Sequence, residues 1–228
     1  MSLPELVIFD CDGVLVDSEI IAARVEAEFL TAAGFEISPE ELAETYAGLT
    51  FREIMLRIER EAAIPFQISM FDDVEKRVDQ KLRNEVKPIE GVHEAVNAVT
   101  VKRAICSNSS TERLEMMLTK TRLKPFFEGH IFSSLDTPSQ KPKPAPDVFL
   151  HAAEVMKANP SKTFVIEDSV HGIHGAKLAG MRVIGFTGAS HTHPGHADLL
   201  TEAGAETVIR RHADLAATIT ALSAWSED

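Results

Sequence analysis

An apolar run that ends in two acids is the feature that most constrains the fold of this chain. Residues 6–9 (Leu-Val-Ile-Phe) are all apolar, which is typical of a strand buried on both faces of a parallel sheet. Asp10 and Asp12 follow the strand, and side chains at positions i and i+2 point to the same side. Open α/β sheets bind ligands at this carboxyl edge. The pattern predicts an acidic site there, and an ordinary turn at Gly13 is the alternative when the stretch is taken alone.

Strand-like and helix-like segments alternate from residue 88 onward. Helical periodicity fills the intervals between the apolar runs. The strand-like runs lie at 102–106, within 128–133, at 163–166, at 182–186 and at 207–210. This alternation favours an α/β fold with a Rossmann-like parallel sheet that helices cover on both faces.

The segment from Glu19 to about Arg83 contains no convincing strand-like run. Two capping boxes, Ser38-Pro39-Glu40-Glu41 and Thr50-Phe51-Arg52-Glu53, mark helix starts within it. Its periodicity predicts an all-helical insert of about four helices. We therefore expect an α/β core formed by residues 1–17 and 84–228, and a helical cap domain at 18–83.

The composition is that of a globular protein and argues against some classes of function. The chain has 228 residues, of which 25% are charged, and its formal net charge is −12. Such an acidic surface argues against general binding to nucleic acid or to membrane surfaces. No apolar run reaches the roughly 20 residues that span a bilayer, and no secretion signal is evident, so we expect a cytoplasmic protein. Cys11 and Cys106 are expected to be core residues.

Three of the predicted strands end in polar residues. Asp10 follows the first strand, Ser107 and Asn108 follow another, and Glu167 and Asp168 follow a third. Because parallel strands share a carboxyl edge, these side chains should face one crevice. Carboxylates at this density suit Mg²⁺, whereas no histidine or cysteine stands nearby at an obvious ligand spacing. The sequence thus predicts a magnesium site.

Four motifs resemble those of the haloacid dehalogenase-like (HAD) superfamily, occur in that family's order and span nearly the whole chain. They are DCDGVLVDSE at 10–19, SNS at 107–109, KPAPDVF at 143–149, and EDSVHG at 167–172 with AGM at 179–181. The helical insert resembles the cap of the branch that contains phosphoglycolate phosphatase and β-phosphoglucomutase.

The resemblance implies a phosphoryl-transfer mechanism. Asp10 would attack phosphorus and form an aspartyl phosphate, and Asp12 would serve as general acid and then general base. Mg²⁺ would be held by Asp10, the Asp12 backbone carbonyl and Asp168, with Glu167 as a further candidate ligand. The acid at position 12 suits an alkoxide leaving group, which favours phosphoryl chemistry over dehalogenation.

The resemblance also implies a phosphate-binding set. Ser107, with Asn108 beside it, would bind a phosphate oxygen, and a lysine would hold both the phosphate and the nucleophile. Lys141 and Lys143 compete for that role. The family pattern places phenylalanine six residues after the lysine, and Phe149 selects Lys143.

The predicted cap should determine the substrate. Gly48 and Arg52 match a Gly-x-x-x-Arg segment that faces the active site in related proteins, so we expect Arg52 to bind an anionic group of the substrate. An arginine on the helix surface, paired with a nearby glutamate, is the alternative. β-Phosphoglucomutase-like proteins carry a histidine five residues after the aspartate that matches Asp17. Here that position is Ala22, which favours hydrolysis.

We therefore expect a Mg²⁺-dependent phosphatase that acts on a small phosphorylated metabolite, such as a sugar phosphate, a sugar-acid phosphate or phosphoglycolate. A β-phosphoglucomutase-type mutase is one alternative, and a catalytically idle binding module is another. The intact acid pair and Lys143 argue against an idle fold.

Three histidines, His191, His193 and His196, crowd the loop after the strand at 182–186. Their spacing matches no standard zinc pattern. We expect a solvated loop, and its position leaves an effect on the site open.

Overall fold

A six-stranded parallel sheet organises the chain. Residues 4–46, 50–62, 68–127 and 129–224 are described, in a computed structural model. The strands are Leu6–Phe9 (β1), Lys102–Ser107 (β2), Ile131–Ser133 (β3), Thr163–Glu167 (β4), Arg182–Phe186 (β5) and Thr207–Ile209 (β6). Their order across the sheet is β3-β2-β1-β4-β5-β6, so β1 lies between β2 and β4. The strands that carry the predicted site residues are therefore neighbours.

The register of β1 aligns its end with the ends of both neighbours. Phe9 pairs with Ile105 on one side and with Ile166 on the other. The backbone N–H of Asp10 continues the ladder by donating to the Ile166 carbonyl at 3.0 Å. All four residues of β1 are fully buried, as the apolar run predicts.

Helices cover both faces of the sheet, and β1 contributes to both hydrophobic cores. Val7 and Phe9 pack into one core, whereas Leu6 and Ile8 pack into the other, because successive strand residues point to opposite faces. The helices of the sheet layers are Val92–Ala98 (α5), Thr111–Lys120 (α6), Asp147–Met156 (α7), Val170–Leu178 (α8), His196–Glu202 (α9) and Leu215–Ala224 (α10). None of the described helices is long and apolar enough to cross a membrane.

Four helices between β1 and α5 form the predicted cap, and we call them the cap helices. They are Glu19–Ala32 (α1), Pro39–Thr45 (α2), Phe51–Ala62 (α3) and Ile68–Glu85 (α4). Both predicted capping boxes are confirmed: the Glu41 carboxylate accepts from the Ser38 N–H at 3.0 Å, and that of Glu53 accepts from the Thr50 N–H at 2.7 Å. The domain boundaries at 17/18 and 83/84 stay a prediction, supported by this element order.

The structure extends β4 by one residue beyond the predicted strand. Glu167 pairs with Gly185 of β5 and is fully buried, so its backbone belongs to the sheet. Asp168 is the first acid after the strand. The two neighbouring acids consequently have different surroundings.

Candidate active site

Three carboxylates at the carboxyl ends of β1 and β4 meet at the edge of the sheet. One oxygen each from Asp10, Glu167 and Asp168 lies within 4.8 Å of the others, and all three side chains are buried. Burial raises the pKa of Asp10 well above its ordinary value, and the charges of Glu167 and Asp168 add to this effect, although Lys143 opposes it. The cluster is an anionic site that a cation would stabilise.

Lys143 supplies the positive charge that faces these acids. Its ammonium group donates to Asp10 Oδ1 at 2.5 Å, to Glu167 Oε1 at 2.6 Å and to the Cys106 carbonyl at 2.7 Å. Burial alone would lower the pKa of Lys143, but the two carboxylates outweigh burial and raise it. Lys141, the competing candidate, is exposed. The geometry therefore agrees with the choice of Lys143, whose catalytic role stays a prediction.

The carboxylates differ in how many oxygens remain available. Both oxygens of Glu167 are engaged, one by Lys143 and the other by the Ser169 N–H and hydroxyl at 3.3 and 3.0 Å. Asp10 Oδ2 and Asp168 Oδ1 receive no hydrogen bond from any described residue. Hard oxygen donors with free lone pairs fit Mg²⁺.

Gly13 closes the turn beside this cluster. Its φ of +74° is left-handed, and a Cβ atom placed there would lie 1.8 Å from Asp168 Oδ2. Any other residue would therefore both strain the backbone and fill the space that the Asp168 carboxylate occupies. The predicted tight turn thus has a second purpose, which is to make room for the site.

Three hydroxyl groups orient the Asp12 carboxylate. Ser18 Oγ donates to Oδ1 at 2.7 Å, while Ser107 Oγ and Ser109 Oγ donate to Oδ2 at 3.1 and 2.8 Å. Ser107 was predicted to bind phosphate, and the structure places it beside the predicted acid/base. Sequence reasoning did not assign roles to Ser18 and Ser109, although both lie within the quoted motifs.

Asn108 is bound to the loop that carries Lys143. Its Oδ1 accepts from the Lys143 N–H at 2.8 Å, and its Nδ2 lies 3.4 Å from the Lys143 carbonyl. This arrangement fixes the backbone on which the lysine is mounted. Both ends of the side-chain amide thus contact the Lys143 backbone. The predicted contact between Asn108 and phosphate stays a prediction.

The predicted cap residues are the least constrained part of the site. Gly48 lies outside the described residues, and Arg52 is exposed near the start of α3. Hydrogen bonds from Thr50 lower the pKa of Glu53, and the charge of His171 at the start of α8 acts in the same direction. The contact expected between Arg52 and an anionic group of the substrate stays a prediction.

The expectation of a solvated histidine loop is wrong for His191 and His196, although Pro194 and Gly195 between them are exposed. His191 Nε2 lies 3.2 Å from Asp168 Oδ2, and His196 is buried with its Nε2 2.7 Å from the Asp168 carbonyl oxygen. Burial alone would lower the pKa of His191, but contact with Asp168 and nearby acids raise it to about 9. The available signal was topological, since this loop follows the strand next to β4 at the same sheet edge.

A family model and a characterised relative match this chain. The model of haloacid dehalogenase-like hydrolases matches residues 7–186. The chain is 30% identical over 195 residues to the 6-phosphogluconate phosphatase of Escherichia coli (strain K12), with 85% of this chain and 87% of that protein covered.

Two solved structures share the whole architecture. A haloacid dehalogenase-like protein of unknown function from Agrobacterium tumefaciens is 57% identical, with a TM-score of 0.93 over 96% of this chain and 99% of that one. A HAD family hydrolase from Deinococcus radiodurans, solved with bound phosphate and sodium, is 30% identical, with a TM-score of 0.83 and full coverage of both chains. Since the family model spans all four motifs and the three strand ends that build the site, this chain belongs to the haloacid dehalogenase-like hydrolase family.

Proposed function

We propose that this phosphoric monoester hydrolase is a Mg²⁺-dependent phosphatase that acts on a small phosphorylated metabolite through an aspartyl phosphate on Asp10. The substrate class is a sugar phosphate, a sugar-acid phosphate or phosphoglycolate. The observation that carries the proposal is the cluster of Asp10, Glu167 and Asp168 within 4.8 Å, with Lys143 bonded to two of its members. The E. coli relative named for 6-phosphogluconate supports the substrate class.

Asp10 and Asp12 divide the chemistry between them. A carboxylate oxygen of Asp10 forms a bond to phosphorus while the ester P–O bond breaks, and Asp12 gives its proton to the departing oxygen. Asp12 then accepts a proton from water as the water oxygen attacks phosphorus. The bond between Asp10 and phosphorus breaks, which releases inorganic phosphate and restores both acids.

The donor set fits a resident magnesium ion. Its proposed ligands would be two carboxylate oxygens, Asp10 Oδ2 and Asp168 Oδ1, and the backbone carbonyl oxygen of Asp12. The two carboxylate oxygens are chosen because neither receives a hydrogen bond from a described residue. Glu167 adds negative charge and holds Lys143 in place. When bound, Mg²⁺ neutralises charge on the transferring phosphoryl group.

The remaining predicted residues would hold the substrate. Lys143 contacts Asp10 and Ser107 contacts Asp12, which supports them as the groups that would bind phosphate oxygens, while Asn108 holds the Lys143 backbone. Arg52 on the cap would bind a second anionic group. The phosphate bound to the Deinococcus radiodurans relative supports phosphate as a ligand of this fold.

A panel assay tests the proposal. Phosphate release is measured from phosphorylated sugars, sugar acids and phosphoglycolate, with and without Mg²⁺, for wild type, Asp10→Asn and Lys141→Ala. We expect release that requires Mg²⁺, loss in Asp10→Asn, and wild-type rates in Lys141→Ala, because Lys141 is exposed outside the site. Absence of release from every compound, or equal release by Asp10→Asn, contradicts the proposal. Conversion of β-glucose 1-phosphate to glucose 6-phosphate without release identifies a mutase.

A further inference from the structure

The segment from the end of β5 to the first residue of α9 contacts the proposed metal site and the nearby start of the cap at three places. The Ser190 N–H donates to Asp17 Oδ1 at 3.0 Å, where the chain leaves β1 for the cap helices. His191 Nε2 contacts the Asp168 carboxylate at 3.2 Å, and His196 Nε2 lies 2.7 Å from the Asp168 backbone oxygen. This segment thus contacts both the side chain and the main chain of a proposed ligand, Asp168.

The surroundings leave little freedom for the contact between His191 and Asp168. The His191 side chain is 14% exposed and that of Asp168 is 7% exposed. A Cβ atom at Gly13 would lie 2.8 Å from His191 Cε1, so the imidazole ring packs directly over the glycine turn. His191 Nδ1 is buried and has no hydrogen-bond partner among the described residues, which leaves Nε2 as the ring atom engaged by the protein.

We propose that His191 is a positioning residue that holds Asp168 Oδ2 and thereby presents Oδ1 to the divalent cation. A carboxylate oxygen can only accept, so the contact requires a proton on Nε2. A ring that carries a proton on Nε2 meets this requirement whether or not Nδ1 also carries one, so the contact rests on geometry alone. Groups that hold a ligand in its binding orientation raise metal affinity, because the ligand loses less freedom when the ion binds. The inference rests on the proposed function, which supplies the cation.

Magnesium affinity in the absence of substrate provides the test. Isothermal titration calorimetry with MgCl₂ is performed on the full chain, for wild type, His191→Ala, His191→Gln and His191→Asn. We expect His191→Ala to raise the Kd about tenfold, as loss of ligand-orienting partners commonly does. Glutamine places an amide N–H near the Nε2 position and should keep most of the affinity, whereas asparagine is too short and should behave like alanine. His193→Ala, in the same loop, is the control and should bind like wild type.

The outcomes separate this inference from the proposed function. A Kd that is unchanged or lower in His191→Ala overturns the inference, and so do equal affinities in His191→Gln and His191→Asn. If wild type binds no Mg²⁺ and releases no phosphate, the proposed function itself fails. Thermal melting without Mg²⁺ identifies any variant that is misfolded. If His191→Ala is misfolded, the difference in Kd between His191→Gln and His191→Asn decides whether the inference holds. The apparent KM for Mg²⁺ should rise in His191→Ala while kcat at saturating Mg²⁺ stays near wild type.

Discussion

At the scale of single residues, the side chains of the site are held in place by hydrogen bonds and ion pairs to one another. Lys143 bonds Asp10 and Glu167, and Asn108 holds the lysine backbone. Because these groups are buried, removal of one partner leaves another uncompensated, which is costly in a protein interior. Individual substitutions should therefore affect both stability and chemistry, and a matched control is needed to separate the two.

A comparison of Gly13 with Gly34 separates the effect of a substitution on stability from its effect on chemistry. Gly13→Ala places a Cβ atom 1.8 Å from Asp168 Oδ2, whereas Gly34→Ala, at a φ of +98°, meets nothing within 4 Å. Gly34→Ala should lose about 1–2 kcal/mol in urea unfolding, the cost of a left-handed residue that is not glycine. Gly13→Ala should lose more than that, because its Cβ atom also displaces Asp168. Only Gly13→Ala should also lose phosphate release and Mg²⁺ binding, because it displaces Asp168. Equal activity in the two variants would show that the glycine turn does not make room for the carboxylate.

At the scale of elements, an ion-pair cluster joins the cap helices to the sheet layer. Arg113 on α6 donates from Nε to Asp79 at 2.6 Å and from Nη2 to Glu75 at 2.6 Å, and both acids lie on α4. Helix α6 begins just after Ser107 and Ser109, which bind Asp12. The cluster therefore ties the cap to the helix that follows the predicted phosphate-binding residues.

A double-mutant cycle measures the strength of the interaction between Arg113 and the acids of α4. The coupling free energy between Arg113→Ala and Glu75→Gln should be about 1 kcal/mol, since the arginine is only 20% exposed and contacts two acids. The matched pair Arg77 and Glu28 joins two cap helices at 2.9 Å, with side chains 60% and 57% exposed, and should give a smaller value. Urea unfolding provides the energies. In Arg113→Ala, KM should rise more than kcat falls, because cap placement affects substrate binding first. Equal coupling in the two pairs would contradict a special role for Arg113.

At the scale of the whole molecule, a formal net charge of −12 means that repulsion between acidic side chains opposes the compact state. Glu26 on α1 illustrates the effect. Burial raises its pKa to about 8, the charges of Glu19 and Glu75 add to the shift, and Arg113 opposes it. The folded protein therefore favours the neutral carboxyl group, and ionisation at this position lowers stability.

The raised pKa of Glu26 determines how the stability of the variant Glu26→Gln, relative to wild type, should depend on pH. In the unfolded chain the carboxyl titrates near its ordinary pKa of about 4.3, so its cost to stability begins as pH rises through that value. The cost is complete only above the folded pKa of about 8. Thermal melting should show similar Tm values for Glu26→Gln and wild type near pH 4.5. The variant should be more stable by a few degrees at pH 9, and the exposed control Glu44→Gln should show no such trend. A constant difference across this range would refute the burial of Glu26.

Much of the fold and part of the site could be predicted from the sequence because the relevant interactions are local or follow from strand order. The apolar run at β1, the acids after it and the capping boxes depend on residues within a few positions of each other. The placement of Asp10, Ser107 and Asp168 at one edge follows from parallel strands alone. The motif spacing was enough to select Lys143, which the structure buries against Asp10.

Only the tertiary structure decided the contacts between loops and helices that are distant in sequence. Ser190 and Asp17 are 173 positions apart, and no periodicity predicts their hydrogen bond. The contact between His191 and Asp168 likewise depends on how the loop after β5 folds back over the Gly13 turn. The sequence by itself thus determined which residues reach the carboxyl edge of the sheet, because hydrophobic periodicity and strand polarity are local properties. The packing of separate elements determined which of those residues hold one another, because that depends on distances that only the folded chain defines.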